Sequence, residues 1–352
     1  MRRQYYRCRC FLTNNYFLAD YKIHVKYYGN NDNRDDRDFW TRFGDQLAAL
    51  GCTTDQQRQA VSRLLRTEFD RRLNLDQQTV QRIQFIRDNY RPKHPDIYRL
   101  SVDYLCKSFV DLVDQCKRGD QLSEILPHIR TVSRERRVYQ FDVFTTEFCD
   151  KFIDECDHFN GSPMPKTRPN TMNNYGILLN ELGFDEHFLT PLRVDYLNPL
   201  AKVFFPDWIG SDGSGDGTSD GLDSHRAFTI KYSLNEDRDL FTHYDNSEVT
   251  LNVCLGKQFT GSEVYFGSFR TEHQQRHTDH TSITAPVVHS PGVGLFHLGQ
   301  QMHGSMPITD GQRQNLVIWM RASTVRNQLC PMCDTKPEPL LSTGFGDGFT
   351  ID

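Results

Sequence analysis

The stretch Phe241-Thr-His243-Tyr-Asp245-Asn-Ser-Glu-Val-Thr-Leu-Asn252-Val holds the residues best suited to chemistry. A histidine and an aspartate two apart at a strand end project to the same side, because strand side chains alternate with period two. One neutral imidazole and one carboxylate are two of the three ligands of the facial triad that suits non-haem Fe(II). A second histidine from another strand completes such a set, and His303 in Gly299-Gln-Gln-Met-His303-Gly304 is well placed for it. Arg313 follows ten positions later, at the head of the apolar run Leu316–Met320. Near a strand end it reaches a barrel mouth, where a guanidinium can grip a carboxylate bidentately. Tyr232, before the pair, and Asn252, after it, can add hydrogen bonds inside the same barrel.

His-x-Asp alone is a weak signal, and His277-Thr-Asp279 repeats it. That second pair lies in a wholly polar segment with no strand beside it, so it reads as a solvated loop. Asp223-Ser-His225 has the two groups in reverse order and reads as structural. His297, inside Val-Gly-Leu-Phe-His-Leu, reads as a core histidine, and His289, before Pro291-Gly292, as a strand end. Zinc hydrolases favour His and Glu on helices, and no such pattern occurs here.

The elements needed to position these groups are legible as patterns. Tyr21–Tyr28 alternates as a short strand, and Asn30–Asp38 is a polar charge run expected to be a solvated loop. From Thr54, a suitable N-cap, Val61, Leu64, Leu65, Phe69 and Leu73 share a helical face. Val80, Ile83 and Ile86 form a second periodic piece, and shorter helices over 100–130 stop at Gly119 and Pro127. Val138–Phe144 reads as a strand leading into a helix near Thr145, with Phe148, Phe152, Ile153, Cys156 and Phe159 on its apolar face. Thr190-Pro191 resembles an N-cap followed by a first-turn proline. The glycine-rich segment 210–221 reads as a surface insertion. Beyond Ser224 the strand candidates are 227–232, 249–255, 264–269, 286–289, 293–298 and 315–320. Closely spaced strands without intervening helices point to an antiparallel barrel or jelly roll.

Composition excludes several classes. The chain has 352 residues, 37% hydrophobic and 25% charged, enough for a sizeable core. A net charge of −5, from 41 Lys and Arg against 46 Asp and Glu, gives no electrostatic case for nucleic acid. Neither a signal peptide nor a membrane-spanning run is recognisable, so a soluble intracellular protein, cytoplasmic or nuclear, is expected. Of ten cysteines, most are expected as buried thiols. Cys330-Pro-Met-Cys333 has zinc-ligand spacing and Cys8-Arg-Cys10 is tighter. Together they form a candidate structural zinc site.

His243-Tyr-Asp-Asn-Ser-Glu-Val-Thr-Leu-Asn-Val, with His303 and Arg313 behind it, resembles the core of the prolyl- and lysyl-hydroxylase-like Fe(II)/2-oxoglutarate dioxygenases. Thr171-Met-Asn-Asn-Tyr-Gly, Ser224-His-Arg-Ala-Phe, Val325-Arg-Asn-Gln-Leu-Cys-Pro-Met-Cys333 and Gly344-Phe-Gly-Asp-Gly-Phe extend the likeness over essentially the whole chain. The resemblance implies an α+β protein with a double-stranded β-helix (jelly-roll) core. It implies Fe(II) on His243, Asp245 and His303, and 2-oxoglutarate paired through its far carboxylate with Arg313. It further implies that Tyr232 and Asn252 help to hold the cosubstrate, that L-ascorbate serves as reductant, and that the substrate is a protein side chain. The expected organisation is a mainly helical extension over 1–137, a dioxygenase domain over 138–325 with its strand core at 224–325, and an irregular tail over 326–352. A catalytically quiet barrel acting as a binding module is the alternative.

Overall fold

The computed structural model describes residues 6–7, 15–27, 36–73, 75–210, 221–270, 284–332, 334, 336–339 and 349–350. The chain divides into two compact units, one of residues 1–82 and 327–347, the other of 83–326 and 348–352.

In the first unit, β1 (Tyr6–Arg7) pairs antiparallel with the late strand Glu338–Pro339. The hairpin β2 (Asn15–Leu18) and β3 (Ile23–Lys26) contributes to one core with helices α1 (Asp36–Ala49) and α2 (Asp55–Leu73). Tyr16, Val25, Tyr27, Phe39, Leu47, Val61, Leu65 and Phe69 fill that core. Two expectations are corrected here. Asp36–Asp38 open α1 instead of ending a loop, as acidic residues at a helix N-terminus favour. Leu64 is exposed, because the inward stripe follows Val61, Leu65 and Phe69. Thr54 caps α2 as expected, its hydroxyl accepting from the Gln57 amide at 3.2 Å.

The second unit is two antiparallel sheets with a helical layer. The larger runs β4 (Arg130–Ser133), β5 (Val138–Asp142), β11 (Val293–Leu298), β8 (Val249–Gly256), β13 (Ile308–Arg321) and β6 (Ser224–Ser233), with β9 (Phe259–Gly261) beside β13. The smaller runs β10 (Val264–Phe269), β12 (Gln301–Ser305) and β7 (Leu240–His243). This is the double-stranded β-helix, and the whole chain is α+β. Val264 and Phe266 of the small sheet meet Val138 and Leu295 of the large one, so the two inner faces close on each other.

Strand alternation decides the rest. Val249, Leu251, Val253, Leu316, Ile318 and Met320 join one core with the helices, whereas Thr250, Asn252, Asn315 and Arg313 point the other way into the barrel. The covering helices include α3 (Lys107–Arg118), α4 (Thr146–Gly161) and α5 (Asn198–Phe204). In α4 the Thr145 hydroxyl accepts from the Phe148 amide, and Phe148, Phe152, Ile153, Cys156 and Phe159 are all buried. Each such side chain withdrawn from water stabilises the fold by about 1.5–3 kcal/mol. Thr190 is no N-cap. It lies in helical geometry between wide helical turns at Asp185–Leu189 and Leu192–Leu197. Residues 286–289 form only an isolated bridge, Val287 to Val264, not a regular strand.

Candidate metal centre

Register brings the two histidines together. β7 and β12 are antiparallel neighbours, and His243 stands directly opposite His303. Asp245 leaves the end of β7 in a loop pinned to the β11–β12 turn. Its amide donates to the Gly299 carbonyl at 2.8 Å, the Gly299 amide donates to Glu248 at 3.0 Å, and Gln300 Nε2 donates to the Asp245 carbonyl at 3.0 Å. Glu248 is fixed in turn by Arg326, whose Nε reaches it at 2.9 Å while Nη1 holds Asn246 at 2.6 Å.

Asp245 Oδ1 lies 3.7 Å from His243 Nε2, and Oδ2 lies 3.7 Å from His303 Nε2. The ligand atoms of all three residues lie within 4.8 Å of one another, and all three are buried. Both Nδ1 atoms face backbone carbonyls, of Phe241 at 2.7 Å and Gln301 at 2.9 Å. Those bonds place the proton on Nδ1 and leave each Nε2 lone pair directed at the shared space. Burial, with His303 adding to it, lowers the His243 pKa to about 4, and burial lowers His303 to about 4. Burial raises the Asp245 carboxyl, opposed by His243, Thr250 and Trp319. Two neutral imidazoles and one carboxylate converging without a donor between them fit a divalent cation.

The second expected anchor lies along the same face of β13. Thr250 and Asn252 stand two apart on β8: Thr250 Oγ1 donates to Asp245 Oδ2 at 2.7 Å, and Asn252 Oδ1 accepts from Asn315 at 2.6 Å. Asn315 Oδ1 accepts from Arg313 Nε at 2.9 Å, so the metal-ligand cluster and the guanidinium share one barrel interior. Arg313 is 1% exposed. Its Nη1 reaches the Ser262 carbonyl, the Ser262 hydroxyl at 3.0 Å and the Ser305 hydroxyl at 3.0 Å, and Nη2 faces His289 Nδ1 at 3.1 Å. Every one of these partners is neutral, and no carboxylate of the described residues lies within ion-pair distance. Burial accordingly lowers the Arg313 pKa. Tyr232, opposite Arg313 in the β6–β13 register, lies under the guanidinium at 5.6 Å and receives an Asn173 amide hydrogen bond at 3.4 Å.

Arg313 sits well inside β13, which begins at Ile308, not at the strand head expected. His297 is buried between Phe266 and His303, as a core histidine should be. His225 accepts from Arg193 Nε at 3.1 Å, and Asp223 holds Ser323 at 3.0 Å, both structural ties. His289 is a miss: it is buried against Arg313, and its only signal in the sequence was a histidine beside a strand in a barrel. His277, Asp279, Cys8, Cys10 and Cys333 lie outside the described residues, whereas Cys330 is a buried thiol.

A double-stranded β-helix with two histidines and a carboxylate converging inside it, and a buried arginine further along, defines the class of 2-oxoglutarate-dependent dioxygenases. The OGFOD2-like domain matches residues 86–210. The chain is 42% identical over 98% of its length to 2-oxoglutarate and iron-dependent oxygenase domain-containing protein 2 of Xenopus tropicalis, covering 93% of that protein. It is also 42% identical to the Homo sapiens protein of that name, over 99% of this chain and 94% of that one. Procollagen-lysine,2-oxoglutarate 5-dioxygenase 1 of Gallus gallus is 26% identical over 50% of this chain and 22% of its own length. The chain belongs to the 2-oxoglutarate and iron-dependent oxygenase domain-containing protein 2 family, and it is a 2-oxoglutarate-dependent dioxygenase.

Proposed function

We propose that the enzyme couples oxidative decarboxylation of 2-oxoglutarate to hydroxylation of a protein side chain, with Fe(II) on His243, Asp245 and His303 and the far carboxylate on Arg313. The observation that carries this reading is the buried guanidinium, whose hydrogen-bond partners among the described residues are all neutral, sharing one interior with a converging ligand set. An uncompensated buried cation costs several kcal/mol, and a carboxylate entering the cavity removes that cost. Fe(II), when bound with the keto acid, supplies the oxidising chemistry.

The chain's residues do the rest. The Phe241 and Gln301 carbonyls orient the two imidazoles, and Thr250 orients the carboxylate. Asn252 spends its carbonyl on Asn315, which leaves its amide hydrogens as donors toward the cosubstrate. Asn173 donates to the Tyr232 oxygen, which frees the Tyr232 hydroxyl to donate as well. The apolar Val264, Phe266 and Leu295 exclude water from between the sheets. The substrate class rests on the likeness to the procollagen-lysine enzyme, and L-ascorbate is the proposed reductant.

Succinate formation from 2-oxoglutarate with added Fe(II) tests the reading. His243→Ala and His303→Ala should abolish it while the fold survives, and full turnover in both variants would overturn the ligand assignment. A proteome search for side chains about 16 Da heavier, absent with His243→Ala, identifies the substrate.

The same reading includes one structural zinc on Cys8, Cys10, Cys330 and Cys333. The antiparallel pairing of Tyr6–Arg7 with Glu338–Pro339 supports it, because it draws both chain ends together. Zinc that survives His243→Ala but is lost with Cys330→Ser is the expected result, and well-folded protein without zinc refutes it.

A further inference from the structure

The far end of the barrel holds a histidine that no step described so far uses. His289 follows the isolated bridge at Val287 and is buried, its ring turned onto Arg313. We propose that His289 is a positioning residue for 2-oxoglutarate, a neutral imidazole whose Nδ1 lone pair aims the Arg313 guanidinium at the incoming carboxylate.

The tautomer follows from its neighbours. Nε2 lies 2.8 Å from the Val293 carbonyl, which can only accept. Nδ1 lies 3.1 Å from Arg313 Nη2, which can only donate, and 3.4 Å from the Asn315 amide nitrogen. The Cys254 amide also points at Nε2, at 3.2 Å. The shorter carbonyl contact and the two donors at Nδ1 outweigh it, so the proton sits on Nε2 and the lone pair on Nδ1. Moving the proton to Nδ1 would set N–H against the guanidinium and a lone pair against a carbonyl oxygen. Adding a second proton would bury two cations in contact. Burial and the Arg313 charge both hold the imidazole neutral, with its pKa well below the usual value.

The remaining contacts explain why a neutral acceptor belongs there. Asn315 holds Nε, and Ser262 with Ser305 holds Nη1. His289 faces Nη2, and the Cys254 thiol also lies within hydrogen-bonding reach of the guanidinium. Fixing one hydrogen of Nη2 turns the guanidinium plane and directs the other hydrogen elsewhere. A carboxylate at this position would aim the arginine equally well, but it would neutralise the charge the cosubstrate needs. An imidazole supplies orientation without competing for the charge. That choice preserves the electrostatic demand for a dicarboxylic keto acid.

This inference rests on the reading of Arg313 as the cosubstrate anchor, and the test separates the two. Calorimetric titration of the full-length protein, loaded with Mn(II) in place of iron, measures 2-oxoglutarate affinity without turnover. His289→Gln keeps a polar amide able to reach the Val293 carbonyl but lacks an acceptor at the Nδ1 position. His289→Asn places its Oδ1 close to where Nδ1 stands. His289→Gln should bind 2-oxoglutarate about ten- to a hundredfold more weakly, the range of a buried hydrogen bond to a charged group. His289→Asn should recover most of that loss, and Mn(II) affinity should be unchanged in both. Equal weakening in the two variants, or wild-type affinity in His289→Gln, would overturn the positioning role. Wild-type protein that fails to bind 2-oxoglutarate at all would instead remove the reading of Arg313 on which it depends.

Discussion

At the scale of single residues, two hydrogen-bonding groups set the chemistry apart from ordinary core packing. Among the described residues Arg313 is hydrogen-bonded by neutral acceptors and makes no ion pair, so its charge remains available to a ligand. Arg313→Ala should weaken 2-oxoglutarate binding by about 2–5 kcal/mol, the cost of losing a charge-assisted bidentate pair from a buried site. Metal affinity should hardly move. Titration of the variant decides it, and an unchanged cosubstrate affinity would make Arg313 a structural strand residue. At the other end, Thr250 Oγ1 orients Asp245 from 2.7 Å. Thr250→Val keeps the shape and removes the donor, so Fe(II) or Mn(II) affinity should fall about ten- to a hundredfold. Equilibrium metal titration reads it directly.

At the scale of elements, the turn between β11 and β12 matters as much as the strands. Gly299 approaches the loop after β7 so closely that an added Cβ would lie 2.1 Å from the Ser247 carbonyl. The same turn exchanges backbone hydrogen bonds with Asp245 and Glu248. Gly299→Ala must therefore push the Asp245 loop off its seat, although the glycine is not required for any left-handed conformation. Metal binding should be lost or reduced at least tenfold in protein that still shows its β-sheet circular dichroism. Undiminished binding would mean that the loop finds its position without the turn.

At the scale of the whole molecule, buried neutral histidines couple stability to pH. His225 is held below its usual pKa by burial, opposed by Asp185 at 3.4 Å and helped by Arg193, and His289 well below it by burial and Arg313. Below the unfolded value of 6.5 the unfolded chain binds protons that the fold refuses. Stability contributed by these groups is therefore complete above pH 6.5. It is lost as pH falls below that value, until the folded pKa is reached. Each group contributes a slope of at most about 1.4 kcal/mol per pH unit. Urea midpoints at about pH 7.5 and about pH 5.5 should differ more in the wild type than in His225→Gln. Identical differences would assign the pH sensitivity to other groups. Among the described residues, no helix is long and apolar enough to cross a membrane.

Local pattern determined a good deal by itself. The His-x-Asp spacing marked His243 and Asp245 as a pair at a strand end, although the carboxylate stands in the loop just beyond β7, and the spacing of Phe148, Phe152 and Cys156 could only be an inward helical face. Thr54 and Thr145 announced their helices because a cap is a short-range hydrogen bond. Only the tertiary structure put His303 opposite His243, since strand register is set by residues far apart in the chain. It also decided that Leu64 faces outward and that residues 286–289 make a single bridge, because both depend on what lies across from them. His289 had no periodic or spacing signal at all. Its role exists only because a buried guanidinium must find an acceptor for each hydrogen, and that requirement takes shape after folding has chosen the neighbours.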